Sequence, residues 1–257
     1  MTRRLQGKVA IITGASQGVG RGIALAMGKE GAKIVIAVRN SGKGEEVLQE
    51  LRSAGITASQ VACDVSVKSA VAHAVQFTVA TYGGIDILVN NAHDTRFIQA
   101  PFLEWTDETL KNQFDSGFMG AYWFMRDSFP YLKACGSGRI INISSGAGVR
   151  GAATFLGYAA SKEAQRAMTR VAAREWGDFG ITCNTICPVA DSPTMAEFVK
   201  HPELGWQDIL PTLPIKRLGS CEHEVGRTAV FLASPDAGYI TGHTISVDGG
   251  FTMDGGR

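Results

Sequence analysis

The chain has 257 residues, 45% of them apolar and 19% charged, with a formal net charge of +1. That is ample for one hydrophobic core and short for two full domains, and the balanced charge offers no electrostatic footprint for nucleic acid or anionic lipid. The five cysteines (Cys63, Cys135, Cys183, Cys187, Cys221) form no Cys-x-x-Cys pair and have no matching His pair, which argues against a metal site and for reduced thiols in a cytoplasmic protein.

The first apolar run, Val9 to Ile12, breaks at Gly14 and is too short for a signal-peptide core or a membrane span. It predicts a strand over 8–13. Further strand-length runs follow at 32–38, 58–62, 85–90, 138–144, 181–186 and 243–247. Each is β-branched and apolar at nearly every position, so both faces of the sheet are covered, as in parallel sheets. Helix-length segments at 18–30, 43–54, 67–82, 107–134, 157–177 and 222–233 lie between them. The alternation predicts one α/β domain over 1–257, a Rossmann-like doubly wound parallel sheet of about seven strands with helices on both faces.

The first strand runs into Thr13-Gly14-Ala15-Ser16-Gln17-Gly18-Val19-Gly20, and a helix follows. Glycines let such a turn approach an anion, and the helix N-terminus offers N–H groups and a positive dipole end to a pyrophosphate. The second strand ends in Val38-Arg39 rather than in an acidic residue. A carboxylate there would bond the ribose hydroxyls and repel a 2′-phosphate, whereas a guanidinium can grip one. NADP(H) is therefore favoured over NAD(H). Farther along, Tyr158 and Lys162 are four apart and share one helix face, close enough for the ammonium to favour the phenolate. Residues 188–215 carry five prolines and no strong period, and are expected to form a substrate lid around 189–215.

In combination, the glycine turn, Asp64-Val65, Asn90-Asn91-Ala92, Ser145, Tyr158-x-x-x-Lys162 and Asp248-Gly249-Gly250 make the chain resemble the short-chain dehydrogenase/reductase family, in its single-domain branch of about this length. The resemblance runs from Gly7 to about Phe251. It implies hydride transfer between the nicotinamide and a carbonyl or alcohol carbon. Tyr158 would be the general acid/base, Lys162 would tune it and bond the nicotinamide ribose, and Ser145 would hold the oxyanion. Gly14, Ser16, Gln17, Gly18, Val19, Gly20, Arg39, Asp64, Val65, Asn91, Ala92, Tyr158, Lys162 and Pro188 would contact the cofactor. The resemblance also implies a homotetramer.

Three positions depart from the family pattern. Gly117 stands where an asparagine usually anchors a water beside the active-site lysine. Pro188 is followed by Val189 rather than Gly, with Asp191 where an apolar residue is common. His93 stands where glycine is usual. His93 reads either as a polar wall residue, as a group shaping the substrate pocket, or as compensation for Gly117, with an imidazole relaying protons near neutral pH. Further pocket candidates are Asp94, Arg96, Ala147, Val149, Phe155, Val189, Met195, Phe198 and Trp206, a mixture suited to a small, partly apolar carbonyl or alcohol. Arg96 is open to an acidic substrate or to an internal pair with Asp94. Two other functions remain in play: a cofactor-binding protein with little turnover, acting as regulator or scaffold, and a reductase of imines or activated alkenes.

Overall fold

The computed structural model describes residues 3–96, 99–199 and 209–253, with backbone alone for 197–199 and 209. Seven strands form one sheet: β1 (Val9–Thr13), β2 (Lys33–Val38), β3 (Ala58–Ala62), β4 (Ile87–Asn90), β5 (Arg139–Ile143), β6 (Thr182–Pro188) and β7 (Thr244–Val247). Their order is β3-β2-β1-β4-β5-β6-β7, and every pairing is parallel. The helices are α1 (Gly18–Lys29), α2 (Ser41–Ser53), α3 (Lys68–Tyr82), α4 (Asp107–Phe114), α5 (Gly120–Ala134), α6 (Gly146–Arg150), α7 (Leu156–Trp176), α8 (Pro193–Val199), α9 (Ile209–Thr212) and α10 (Arg227–Ala233).

Alternation along the strands explains the layering. Ala10, Ile12, Ile34, Ile36, Ile87 and Val89 pack on one face with Leu25 and Met27 of α1, Leu48 and Leu51 of α2 and Val230 of α10. The residues between them, Ile11, Val35 and Leu88, pack on the other face with Val71 and Val75 of α3, Phe124 and Leu132 of α5 and Ala172 of α7. Burial on both faces removes the polar alternation that a one-sided sheet would show. The strand order reverses between β1 and β4, so a crevice opens beyond their C-terminal ends, where open α/β sheets bind ligands.

Three local features differ from the expectations. The helix predicted over 107–134 is interrupted by a π-helical turn, Asp115–Met119, between α4 and α5. Gly117 lies inside that turn, so it does not burden a regular helix. The segment expected to be a lid begins with α8 and resumes at α9, while residues 200–208, with Trp206, lie outside the described residues. A second π-turn, Cys221–Gly226, opens α10 and packs directly on α1. Among the described residues no helix is long and apolar enough to cross a membrane.

Candidate active site

The glycine turn hangs off the end of β1. Gly14 and Gly18 hold φ of +65° and +55°, a region that residues with a Cβ reach only at a cost. A Cβ at Gly14 would also lie 2.8 Å from Ala92 Cα. No side chain caps the first turn of α1, so its leading N–H groups face the crevice uncommitted to a cap. The neighbouring strand end braces this turn. The Asn91 side-chain amide donates to the carbonyls of Thr13 (2.9 Å) and Gly14 (3.1 Å). The backbone N–H groups of Asn91 and Ala92 both donate to the Thr13 hydroxyl at 2.9 Å. Asn91 thus supports the cradle instead of reaching outward with its amide.

A continuous cleft of about 540 Å³ runs from this turn along the strand ends. One end is lined by Arg39, Asn40, Lys43, Asp64, Asp94 and Arg96, the other by Ser145, Phe155, Tyr158, Lys162, Val189 and Met195. At the first end Asp64 accepts from the N–H (2.9 Å) and hydroxyl (2.6 Å) of Ser66. Asp94 takes the Arg96 guanidinium, with Nε 3.0 Å from both carboxylate oxygens, and Arg39 Nη1 stands 3.8 Å away. The bond from Arg96 above all holds the Asp94 carboxyl below its usual range. Of the two partners foreseen for Arg96, the internal one is realised.

At the other end β5, α6 and α7 converge. Ser145 is the N-cap of α6, its hydroxyl accepting from Ala147 N–H at 3.1 Å. Lys162 is 2% exposed, and its ammonium donates to the Ile143 carbonyl at 2.7 Å. Burial pushes its pKa down to about 8. Burial likewise raises the Tyr158 phenol above its ordinary value, a hydrogen bond from Ser145 only partly opposing this. Lys162 Nζ lies 5.8 Å from the Tyr158 ring centre and spends a hydrogen on the backbone. The expectation that the ammonium lowers the phenol's pKa is therefore corrected here: desolvation outweighs it. Burial also pushes the His93 imidazole down to about 3, with the Lys162 charge adding to the effect, so a proton relay at neutral pH through His93 is corrected as well.

The residues named from sequence mostly meet in this cleft: Gly14, Ser16, Gln17, Gly18, Val19, Arg39, Asp64, Val65, Asn91, Ala92, His93, Ser145, Phe155, Tyr158, Lys162, Pro188 and Met195 all line it. Gly20 does not. A Cβ there would meet the Asn91 amide nitrogen at 2.5 Å and Gly14 O at 2.7 Å, so its work is packing α1 against the turn. Val149 is corrected too: it is 41% exposed on α6 and absent from the cleft wall, its side chain directed to solvent. Asp191 accepts from Cys221 N–H at 3.1 Å and also stays out of the cleft. The side chain of Phe198 and all of Trp206 lie outside the described residues. Sequence reasoning missed Asn40, Lys43, Ser66, Ser116 and Phe251. Asn40 and Ser66 lie in the loops that leave β2 and β3, and Lys43 in the first turn of α2, on the edge where ligands bind; Ser116 and Phe251 come from distant segments, without a local signal.

A family model described as enoyl-(acyl carrier protein) reductase matches residues 14–252. The chain is 39% identical over 256 residues to a 12alpha-hydroxysteroid dehydrogenase of Clostridium sp., covering 95% of this chain and 96% of that one. It is 34% identical over 252 residues to a 3-oxoacyl-(acyl-carrier-protein) reductase of Pseudomonas aeruginosa, covering 97% and 99%. Among solved structures, one from Sinorhizobium meliloti, provisionally assigned as a short-chain alcohol dehydrogenase, superposes with a TM-score of 0.91 at 31% identity, covering 98% of each chain. Another from Beutenbergia cavernae, provisionally assigned as an NAD(P)-dependent gluconate 5-dehydrogenase and holding NADP at low occupancy, gives 0.90 at 31%, covering 98% and 99%.

Proposed function

Because the chain belongs to the short-chain dehydrogenase/reductase family, whose members bind a nicotinamide cofactor, we propose that it is an NADP(H)-dependent oxidoreductase interconverting a carbonyl and an alcohol on a small, partly apolar substrate. The observation that carries this reading is that Ser145, Tyr158 and Lys162 meet at one end of a cleft whose other end is the bare glycine turn.

The cleft suits the cofactor. The uncapped start of α1 and the turn at Gly14 would take the pyrophosphate, Asp64 and Val65 the adenine, and Arg39, helped by Asn40 and Lys43, the 2′-phosphate. When bound, the nicotinamide supplies or accepts the hydride. Tyr158 holds the proton. Its phenol, raised by burial, is protonated at neutral pH, which suits donation to a carbonyl oxygen and hence reduction. The Ser145 hydroxyl, which partly offsets the rise in that phenol's pKa, would share the substrate oxygen as negative charge gathers there. Below about pH 8 the buried Lys162 ammonium adds positive charge beneath both. Phe155, Val189 and Met195 would exclude water from the reacting carbon.

The hydroxysteroid and 3-oxoacyl relatives put oxosteroids and acetoacetyl thioesters at the head of the substrate panel. The family model's description adds an enoyl thioester as the probe for alkene reduction. We also take the protein to be cytoplasmic and a homotetramer; in such an assembly exposed Tyr122 on α5 and Val171 on α7 would be side chains available to bury between copies.

The test is oxidation of NADPH and NADH by the purified protein against this panel, with a cyclic imine included and Tyr158→Phe run in parallel. Turnover of a ketone with NADPH, falling about 10²–10⁴-fold in the variant while NADPH binding persists, is expected. Turnover undiminished in Tyr158→Phe would refute the assignment, and NADPH binding without turnover of any member would favour the binding-protein alternative.

A further inference from the structure

His93 and Gly117 come from different segments, the loop after β4 and the π-turn before α5, yet they share one small space. A Cβ at position 117 would lie 2.5 Å from His93 Cε1, 2.6 Å from His93 Nδ1 and 2.8 Å from Ser161 Oγ. The imidazole thus fills the volume into which any side chain at 117 would project. His93 needs no glycine-like backbone to do so, since Thr154 is the one non-glycine residue with positive φ among those described.

The ring is held from several sides. Gln113, 1% exposed on α4, donates its amide N–H to the Asp94 carbonyl at 3.1 Å, which leaves its oxygen facing His93 Nε2 at 2.6 Å. The hydrogen therefore sits on Nε2, and Nδ1 keeps a buried lone pair without a hydrogen-bond partner. Ser116 ties the π-turn to the same loop, accepting from Asp94 N–H at 3.2 Å and donating to Asn112 O at 2.9 Å. Held this way, the imidazole stands edge-on to Tyr158, with ring centres 4.8 Å apart and planes at 86°. Phe155 flanks the same phenol at 6.0 Å.

We propose that His93 is a positioning residue for Tyr158, and that His93 and Gly117 form a matched pair in which the imidazole takes the place of a side chain at 117 and fixes the phenol ring with its edge. The role is one of shape and tautomer, because burial keeps the imidazole uncharged across the working range. It rests on the assignment of Tyr158 as the proton donor. Charge contributes nothing here, so the pair predicts a specific genetic pattern: each partner tolerates change only if the other changes with it.

The experiment compares His93→Gly, Gly117→Asn and the double variant, which carries the pair of residues usual in the family. The probe is whichever ketone of the panel wild type reduces. His93→Gly is expected to lose roughly 10- to 100-fold in kcat with KM and NADPH Kd little changed, since ångström-scale misplacement of a reacting group costs about that much. Gly117→Asn, with no room for its side chain, should lose at least as much. The double variant should recover to within about 5-fold of wild type, the scale of residual misfit left after the geometry is restored. Melting temperatures of all three separate misplacement from unfolding, and His93→Phe, which retains an aromatic edge, keeps the test open if His93→Gly does not fold. An activity-independent reading comes from ultraviolet difference titration of each protein against its own Tyr158→Phe derivative. Water reaching the phenol in His93→Gly should lower its ionisation pH toward the ordinary value, and the double variant should restore it.

A double variant no better than the worse single in both kcat and titration overturns the pairing, as does a His93→Gly protein matching wild type in both. If Tyr158→Phe itself retains turnover, the functional reading fails, while the titration still reports whether His93 shields that ring.

Discussion

Arg39→Ala tests the cofactor preference directly. In the structure the guanidinium is more than half exposed at the end of β2, with Nη1 3.8 Å from Asp94 Oδ2. A long, solvent-screened pair of this kind contributes about 0.2–1 kcal/mol. A charge-assisted bond to a phosphate contributes about 1.5–3 kcal/mol. Exchanging the first for the second leaves roughly 0.5–2.8 kcal/mol for recognition of the 2′-phosphate, or about 2- to 100-fold in Kd at 1.4 kcal/mol per factor of ten. Titrating tryptophan fluorescence with NADPH and with NADH measures it. The variant should bind NADPH weaker by that factor and NADH within about twofold of wild type. The wild-type preference should shrink as salt rises, because the contact is at the surface. Equal losses for both cofactors would refute the reasoning and make Arg39 an adenine-stacking residue. No loss for either would shift the phosphate site to Lys43 or Arg96.

Two further predictions concern the scaffold. Gly22→Ala would gain about 1 kcal/mol of helix propensity, but its Cβ would run into the Cys221 carbonyl and stand 2.7 Å from Glu222 N, backbone that cannot rotate away. A net loss of at least about 2 kcal/mol and a melting temperature lower by about 4–8 °C are expected, whereas Gly42→Ala, whose Cβ meets only Asn40 Oδ1 at 3.4 Å, should melt within about 2 °C of wild type. Glu224 is held down to about 2 by the Arg217 guanidinium first and then by the Ser220 N–H. Its folded pKa lies below the ordinary 4.5, so its stabilisation is complete above about pH 4.5 and disappears as pH falls toward 2. Because the group lies at the surface the effect is about 0.5–1 kcal/mol. Glu224→Gln should accordingly melt a few degrees lower at pH 6 and converge on wild type near pH 2, and a constant difference across that range would contradict the linkage.

How much of this was legible in the chain depends on the range of the interaction. The inner strands were, because burial on both faces leaves an unbroken apolar signature, as in Val9 to Ile12, whereas edge strands β3 and β7 are only partly buried. The glycine turn and the Tyr158–Lys162 spacing were legible because they are local. The π-turn at 115–119 was not, since one turn wound a residue wider is too short to shift the apolar period of the surrounding helix visibly. Nor was the raised Tyr158 phenol: spacing shows the nearby ammonium, but only the packed structure shows that Lys162 donates to Ile143 and that desolvation governs the phenol. Val149 failed for a related reason, as adjacency to Ser145 in sequence says nothing about which way a short capped helix turns. The fit of His93 over Gly117 links positions 24 apart, and each looks like an isolated oddity until the loop and the π-turn are brought together.

The buried Thr13 hydroxyl has a consequence for how ligands are met. By accepting two backbone N–H groups from the end of β4 while the Asn91 amide grips the glycine turn, it welds the floor under the phosphates to the wall that carries His93. Two loops that would otherwise fluctuate separately behave as one stiff block. The entropy of ordering them is surrendered when the chain folds, so little remains to be lost when a dinucleotide arrives. A Thr13→Val protein would hold the same residues in the same places on average, but as a softer cradle, with the loss showing as weaker binding of both dinucleotides alike.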